Sequence, residues 1–578
     1  MPGALMQLIA VGAQNEMITG KPSMTHFRTV YRRHTNFAME HIRLTFSSSN
    51  LDFATTQSRL LTTRIDRYGQ LVNDCYLILT LPDVWSPLVA LNGVAPPTGY
   101  DPRCTAIGYE FQWIKNIGYN LINYIELTVN GVSIQKLTGE FLKFYSFFTH
   151  DAAKRALVDQ MTGNVKELYE PANAYDRQTQ YPHSITVGST TGLSMPMTTV
   201  PEPSIRSRQL VIPLHFWFCE NPGLALPLIS LQNSEVFINV SLRPLQDLYT
   251  VIDVNTTSPT YGQRIEPAGI YPMQLFLSPP TTTGAPSNPT LTTFFPDPYL
   301  ECNFISLEDT ESNQLAVADQ TFLFKEVRTF SNTGQFGANT EILLPAFNLV
   351  TRVFFAARRT DMELGNNWDN YTNWPNPDRA PFTPNTLNVA SSLYSSGQFQ
   401  ISSVYPKDSV VDGVILFNGK ERFYTKPVSY FSLIQSYRHT TGVSSSSLPG
   451  VYMYSFALNN DQYQPSGSFN ASYVDKVSLR ITLQQPIALS TLAGGGTQVC
   501  VLRSTVFNQN PTIIPAANLN LINPSTGQLL YQPSDVVTVI QSSTGTLLFS
   551  YTYDVITYVE SYNFIRIVSG LANLVFAS

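Results

Sequence analysis

The sequence predicts an all-β chain folded as two tandem antiparallel β-sandwiches, with long loop insertions and a few short helices. Three observations carry that prediction. The alternating pattern Val236-x-Ile238-x-Val240-x-Leu242 returns as Val477-x-Leu479-x-Ile481-x-Leu483. Each copy follows an aromatic strand and a proline-glycine turn: Phe216-Trp217-Phe218 then Pro222-Gly223, and Tyr454-Ser455-Phe456 then Pro465-Ser466-Gly467. A second pair of landmarks agrees, because Ile125-Glu-Leu127-Thr-Val129 leads into Asn130-Gly131 and Ile415-Leu-Phe417 leads into Asn418-Gly419. Asn-Gly suits a tight hairpin whose two central residues both take positive φ. Asn130, Gly131, Pro222, Gly223, Asn418, Gly419, Pro465 and Gly467 are therefore expected to be structural turns. The halves differ by insertion: 132–235 separates the first turn from its repeated strand, and only 420–476 separates the second.

Composition supports two folded units. At 578 residues the chain exceeds what one hydrophobic core usually holds. With 43% apolar residues and a net charge of -6 it lacks the low hydrophobicity and high charge of a disordered chain. An acidic balance gives no general reason to bind phosphates, so no direct nucleic-acid partner is expected. The densest basic spots, Arg32-Arg33-His34 and Arg358-Arg359, are read as solvated strand edges or subunit contacts. The cysteines (Cys75, Cys104, Cys219, Cys302, Cys500) are odd in number and show no C-x-x-C, which fits a reducing compartment and no zinc ribbon. Cys75 and Cys219 read as buried, inert thiols. No signal peptide is visible, and the longest apolar stretch, Leu210 to Leu231, is too polar and proline-broken to span a bilayer. The sequons at Asn239, Asn255, Asn370 and Asn470 would then stay unused.

Taken in order, residues 1–27 form an arm with apolar Leu5, Met6, Leu8, Ile9 and Val11, ended by the helix-breaking Gly20-Lys21-Pro22. A first unit covers 28–252. Thr29 to Phe46 and Arg59 to Leu81 are strand text, and the continuous run Cys75 to Thr80 reads as a strand buried on both faces. Residues 83–118, rich in proline, are expected as an insertion rather than core. One short helix is expected, Asp151 to Met161, stopped at Gly163. Residues 164–205 are a second loop. A proline-rich connection spans 253–318, and the second unit covers 319–578. Within it, Thr321 to Phe330 and Ile342 to Ala357 are strands, 360–410 and 484–550 are insertions, and Tyr558 to Phe576 closes the core.

Catalytic sets are not evident. His34 and His41, seven apart, fall on opposite faces of a strand, and H-E-x-x-H, G-x-S-x-G and the P-loop motif are missing. Gly494-Gly495-Gly496 lacks the lysine of a phosphate cradle. The carboxylates Glu308-Asp309-Glu311 and Asp361, Glu363, Asp369 do not have EF-hand spacing and read as solvated loops. Trp368 and Trp374 are candidates for stacking on sugar, with loop packing as the plainer role. No catalytic residue, metal site or cofactor is therefore expected.

Several ordered blocks resemble the major capsid proteins of nucleocytoplasmic large DNA viruses. They begin with residues 5–42, LMQLIAVGAQNEMITGKPSMTHFRTVYRRHTNFAMEHI, and continue through IPLHFWFCENPGLALPLISLQNSEV within Arg208 to Leu242. In the second half Leu416-Phe-Asn-Gly-Lys-Glu-Arg-Phe423, Pro449 to Leu458 with Gln464-Pro-Ser-Gly467, and Tyr562 to Gly570 follow in family order; residues 305–327 and 484–550 depart from the pattern. The resemblance implies two eight-stranded antiparallel jelly rolls side by side in a structural, non-enzymatic subunit of an icosahedral capsid. It further implies a homotrimer with pseudo-hexagonal outline, contacts with neighbouring capsomers, penton and minor capsid proteins, and inner membrane-associated proteins met by the arm. Assembly in the host cytoplasm and residence in the virion follow. The rival reading is a carbohydrate-binding double β-sandwich, a minor coat or spike-like protein.

Overall fold

A computed structural model describes residues 12–576 apart from 48–57, 91–105, 185–201, 253–263, 268–271, 280–295, 375–406, 443–447, 485–495, 503–512, 516–520, 523–528, 530–535, 543–546, 550–551 and positions 87, 179, 336, 338 and 345. Leu5 to Val11, Cys104, Asn255, Gly494 and Gly495 lie outside the described residues. The first roll contains β1 (Phe37–Thr45), β2 (Arg59–Arg64), β3 (Leu71–Leu81), β4 (Ile122–Val129), β5 (Val132–Thr138), β6 (Arg208–Pro213), β7 (Val236–Leu242) and β8 (Tyr299–Leu307). The second contains β9 (Gln320–Gln335), β10 (Thr340–Leu344), β11 (Leu349–Arg359), β12 (Val410–Phe417), β13 (Lys420–Glu421), β14 (Val451–Ser455), β15 (Val477–Leu483) and β16 (Tyr553–Val568).

The sheets of the first roll run β1-β8-β3-β6 and β2-β7-β4-β5, and those of the second run β9-β16-β11-β14 and β10-β15-β12-β13. Adding eight to each strand number converts one set into the other. In both rolls the first strand pairs with the eighth, the second with the seventh, the third with the sixth and the fourth with the fifth, which is the winding of a jelly roll. The duplicated landmarks occupy matching places. Asn130 and Gly131 (φ 52 and 79) join β4 to β5, and Asn418 and Gly419 (φ 49 and 76) join β12 to β13. Each turn asparagine also accepts a backbone N–H at the entry to the seventh strand, Glu235 N to Asn130 at 2.9 Å and Lys476 N to Asn418 at 2.9 Å. The repeated β7 and β15 bury their apolar alternates against the fourth strand of their own roll.

Three helices matter below: α1 (Ala13–Thr19) in the exposed arm, α2 (Gly139–Thr149) and α3 (Ala152–Thr162). The Asp151 carboxylate caps α3 by accepting from Lys154 N at 2.7 Å, and Gly163 closes it in the left-handed region at φ 77. Asp151→Ala is expected to lower folding stability by about 1 kcal/mol, read as a shift in urea midpoint at unchanged slope.

Four expectations need correction. Phe216-Trp217-Phe218 is not a strand: Trp217–Glu220 is one helical turn, because its rings turn inward to pack between the rolls rather than alternating across a sheet. The second half of the 83–118 insertion is core, with Phe111, Trp113 and Ile117 buried. The expected connection at 253–318 contains β8, a central strand that pairs with both β1 and β3. The strand expected from Thr29 begins only at Phe37, and the exposed arm extends up to it. The insertion at 484–550 also carries a small sheet of Gly496–Leu502, Ile513–Ile514, Val536–Ser542 and Leu547–Phe549.

Candidate functional site: the seam between the rolls

The seam is built on a sheet covered on both faces. β11 is a nearly continuous buried run, as a strand without a solvated side must be. Val353, Phe355 and Ala357 face the core of the second roll, whereas Phe354 and Ala356 belong to a core shared with the first. α2 lies across that outer face. The rings of Phe141, Phe144 and Phe148 sit 6.3, 6.5 and 4.8 Å from that of Phe354, and Phe141 and Phe144 also reach Tyr558 on β16. Beside them Trp217 packs on Phe322 of β9 at 5.3 Å, and Gln135 of β5 donates to the Lys325 carbonyl at 3.2 Å.

Buried charges are paired within the same wall. Lys143, fully buried on α2, donates to Asp369 at 2.5 Å; Asn120 donates to the same oxygen at 2.8 Å and Asn116 to the other. Glu140 accepts from the Tyr371 and Tyr558 hydroxyls at 2.5 and 2.8 Å and faces Arg358 at 3.5 Å. Burial alone would raise both carboxyls, but Arg358 and Lys143 beside Glu140, and Lys143 beside Asp369, outweigh it and hold them below the usual carboxylate range. Arg352 grips Glu560 through two bonds of 2.6 and 2.9 Å and reaches Asp461 at 3.4 Å. Burial would lower its pKa; Glu560 and then Asp461 reverse that, leaving the guanidinium charged.

Candidate residues from the sequence are mostly absorbed into this packing. Asp369 is a seam ion-pair partner instead of a solvated carboxylate, while the side chains of Asp361 and Glu363 lie outside the described residues. Arg358-Arg359 is not a solvated edge: Arg358 serves Glu140, and buried Arg359 donates to the Asn373 carbonyl at 2.6 Å. Trp368 donates its indole N–H to the Asp247 carbonyl at 3.0 Å, with the guanidinium groups of Arg243 and Arg358 over its ring, so it is engaged in loop packing. Lys407 lies over the half-buried Trp374 ring at 5.4 Å. Asp309 and Glu311 occupy the first turn of helix Asp309–Val317, where free amide groups favour negative charge, with Glu308 just before it. His34 and His41 are exposed and not brought together. Pro222 and Gly223 lie in a 3-10 turn capped by Asn221, and Gly467 takes φ 136. Cys75 is buried with its sulfur 2.9 Å from that of Cys302 across the β3–β8 ladder; Cys219, on the helical turn, is only half-buried. Among the described residues, no three His, Cys, Asp or Glu cluster closely enough to hold a metal.

Two jelly rolls of identical winding, joined by a buried seam, define the double jelly-roll class of viral coat proteins. Residues 25–293 match the family described as major capsid protein N-terminus, and residues 311–530 match large eukaryotic DNA virus major capsid protein. The chain belongs to the major capsid proteins of large eukaryotic DNA viruses. It is 26% identical to the major capsid protein of Chrysochromulina ericina virus, over 88% of this chain and 97% of that one. It is also 26% identical to the major capsid protein of Paramecium bursaria Chlorella virus 1 along the full length of both. Among solved structures, a quasi-atomic model of the PBCV-1 virus capsid superposes with a TM-score of 0.58 at 21% identity, covering 96% of this chain and 100% of that one. The Faustovirus major capsid protein superposes at 0.56 and 11%, covering 97% and 95%. The fold is theirs, and the place of such a protein is the virion capsid.

Proposed function

We propose that the chain is the repeating structural subunit of an icosahedral capsid and acts as a homotrimer. The observation that carries this reading is the strand-for-strand identity of the two rolls. Three chains of two like rolls present six near-equivalent sides, which lets a threefold assembly pack hexagonally. The subunit carries out no chemistry: it holds shape, and individually modest lateral contacts gain strength when repeated across a shell. Residues 1–27 serve as an arm, 28–252 with β8 as the first roll, the remainder of 253–318 as the connection and 319–578 as the second roll. The turns at Asn130, Gly131, Pro222, Gly223, Asn418, Gly419, Pro465 and Gly467 hold strand ends, while the insertions between them vary the surface. Neighbouring capsomers, penton and minor capsid proteins are the partners, with assembly in the host cytoplasm and no direct contact with nucleic acid.

The arm supports an anchoring role at the inner face, against membrane-associated proteins. Met17, Ile18 and Phe27 are almost wholly exposed along it and Met24 largely so, an apolar stretch that needs a partner. Purified protein is expected at three times 64.4 kDa, roughly 193 kDa by light scattering, and a stable monomer would overturn the trimer. Deleting residues 1–27 is expected to leave that mass reduced only by the arm while abolishing shell assembly; unimpaired shells would remove the anchoring role.

A further inference from the structure

The intrachain seam is a contact with a direction. Roll one contributes the helix after its fifth strand and the segment after its sixth, namely α2 and Trp217. Roll two receives them on the outer face of the sheet formed by its first, eighth, third and sixth strands. The second roll possesses the same contributing parts. After β13 comes a helical segment, a π turn Tyr430–Ile434 continuing into Gln435–His439, and after β14 comes Leu458. Here the apolar side chains face solvent: Leu433, Ile434 and Tyr437 are 53, 46 and 90% exposed, and Leu458 is 76% exposed. The His439 ring is bonded to the Leu458 carbonyl at 2.9 Å, so helix and segment form one continuous patch.

The first roll possesses the same receiving sheet, and along its first strand apolar side chains are left uncovered. On β1, Ile42 and Leu44 point into the roll, which sends the alternate residues Phe37 and Met39 to the outer face, 53 and 59% exposed. In the second roll the corresponding first strand, β9, is covered there by Trp217 and Gln135. The third strands correspond in position, Leu71-Val72-Asn73-Asp74-Cys75-Tyr76 with Leu349-Val350-Thr351-Arg352-Val353-Phe354: both open Leu-Val, both place an aromatic ring sixth, and each carries a register shift near the same point. One contact is therefore made inside the chain, and a second set of matching halves is left open at its two ends.

We infer that the patch of Leu433, Ile434, Tyr437 and Leu458 docks on a second copy of this chain, over Phe37 and Met39, repeating between chains the seam made within one. The inference rests on the homotrimer proposed above and specifies its interface. Each chain contributes one helix and receives one, a head-to-tail contact that closes after three copies. The residues are exposed in the single chain, so replacing them leaves its fold intact.

The test uses the full-length chain and its mass in solution, with circular dichroism to establish folding. Leu433→Glu/Tyr437→Glu is expected to convert a trimer of about 193 kDa into a folded monomer of 64.4 kDa, and Phe37→Glu/Met39→Glu to do the same. Mixing the two variants restores one intact contact but not a ring, so a dimer of about 129 kDa, twice 64.4 kDa, is expected. Variants that remain trimeric would place the interface elsewhere and leave the trimer standing. Folded monomers that fail to form the mixed dimer would refute head-to-tail docking. A monomeric wild type would remove both the inference and the trimer.

Discussion

Replacing Arg352 with methionine is expected to be among the most damaging single changes in the chain. The guanidinium is fully buried, and the substitution strips Glu560, 1% exposed, of its two direct charged hydrogen bonds, leaving buried Lys325 to act on it through its charge alone. Breaking a buried pair by removing one partner costs about 3–5 kcal/mol, against a typical total stability of about 5–15 kcal/mol. The double change Arg352→Met/Glu560→Leu is expected to recover most of that loss. An apolar pair of similar volume avoids the desolvation that two charges suffer, and Asp461 keeps the Thr441 amide and hydroxyl, at 2.5 and 2.9 Å. Thermal unfolding at one fixed protein concentration is the measurement, since association itself raises Tm. A single variant within 1 kcal/mol of wild type would show that Glu560 is not isolated by the loss. The comparison also separates what the pair does: apolar packing supplies the strength of the wall, and the charged pair ties β11 to its neighbour β16 within the second roll.

Much of this scaffold is legible locally, because the signals are local. Asn-Gly demands positive φ at both positions wherever it closes a hairpin, and both copies show it. The α3 helix carries its own cap and stop, Asp151 and Gly163. The repeated β7 and β15 announce themselves by alternation. The seam is another matter. α2 reads Gly-Glu-Phe-Leu-Lys-Phe-Tyr-Ser-Phe-Phe-Thr, aromatic residues of modest helix propensity that equally suit a strand. The available signal was Phe141, Phe144 and Phe148 at helical spacing, blurred because a helix packed between two rolls is apolar on nearly every side. Asp369 looked like one of three loop carboxylates because its partner, Lys143, lies 226 residues away. Arg358 and Arg359 looked like a surface patch for the same reason. No local pattern distinguishes a charge that is solvated from one whose counter-charge is supplied by another domain.

Acid is expected to weaken the folded chain well before its carboxylates titrate. Burial, reinforced by His150 and Lys154, pushes the His215 pKa down to about 3. Burial likewise takes His150, near Lys154 and Arg155, and His183 down to about 4. In the unfolded chain each titrates near 6.5. The folded state thus binds fewer protons than the unfolded state throughout that interval, so stability is fully present above about pH 6.5 and falls as pH drops toward 4 and then 3. His215 alone accounts for a few kcal/mol on this basis. Glu140 and Asp369, held low by their cations, act in the same direction at lower pH, whereas Glu220, raised by burial, loses part of its contribution as pH rises. His150, His215, Glu220 and Lys325 all line one cavity of about 600 Å³ between the rolls, so protonation adds positive charge to the seam itself. The unfolding midpoint in urea is expected to fall steadily between pH 7 and 4.5, with the first loss in the contact between the rolls. His215→Leu keeps the ring's site apolar and removes its proton, and it is expected to flatten that slope. A variant whose midpoint follows wild type at every pH would show that His215 is not the group that senses acid.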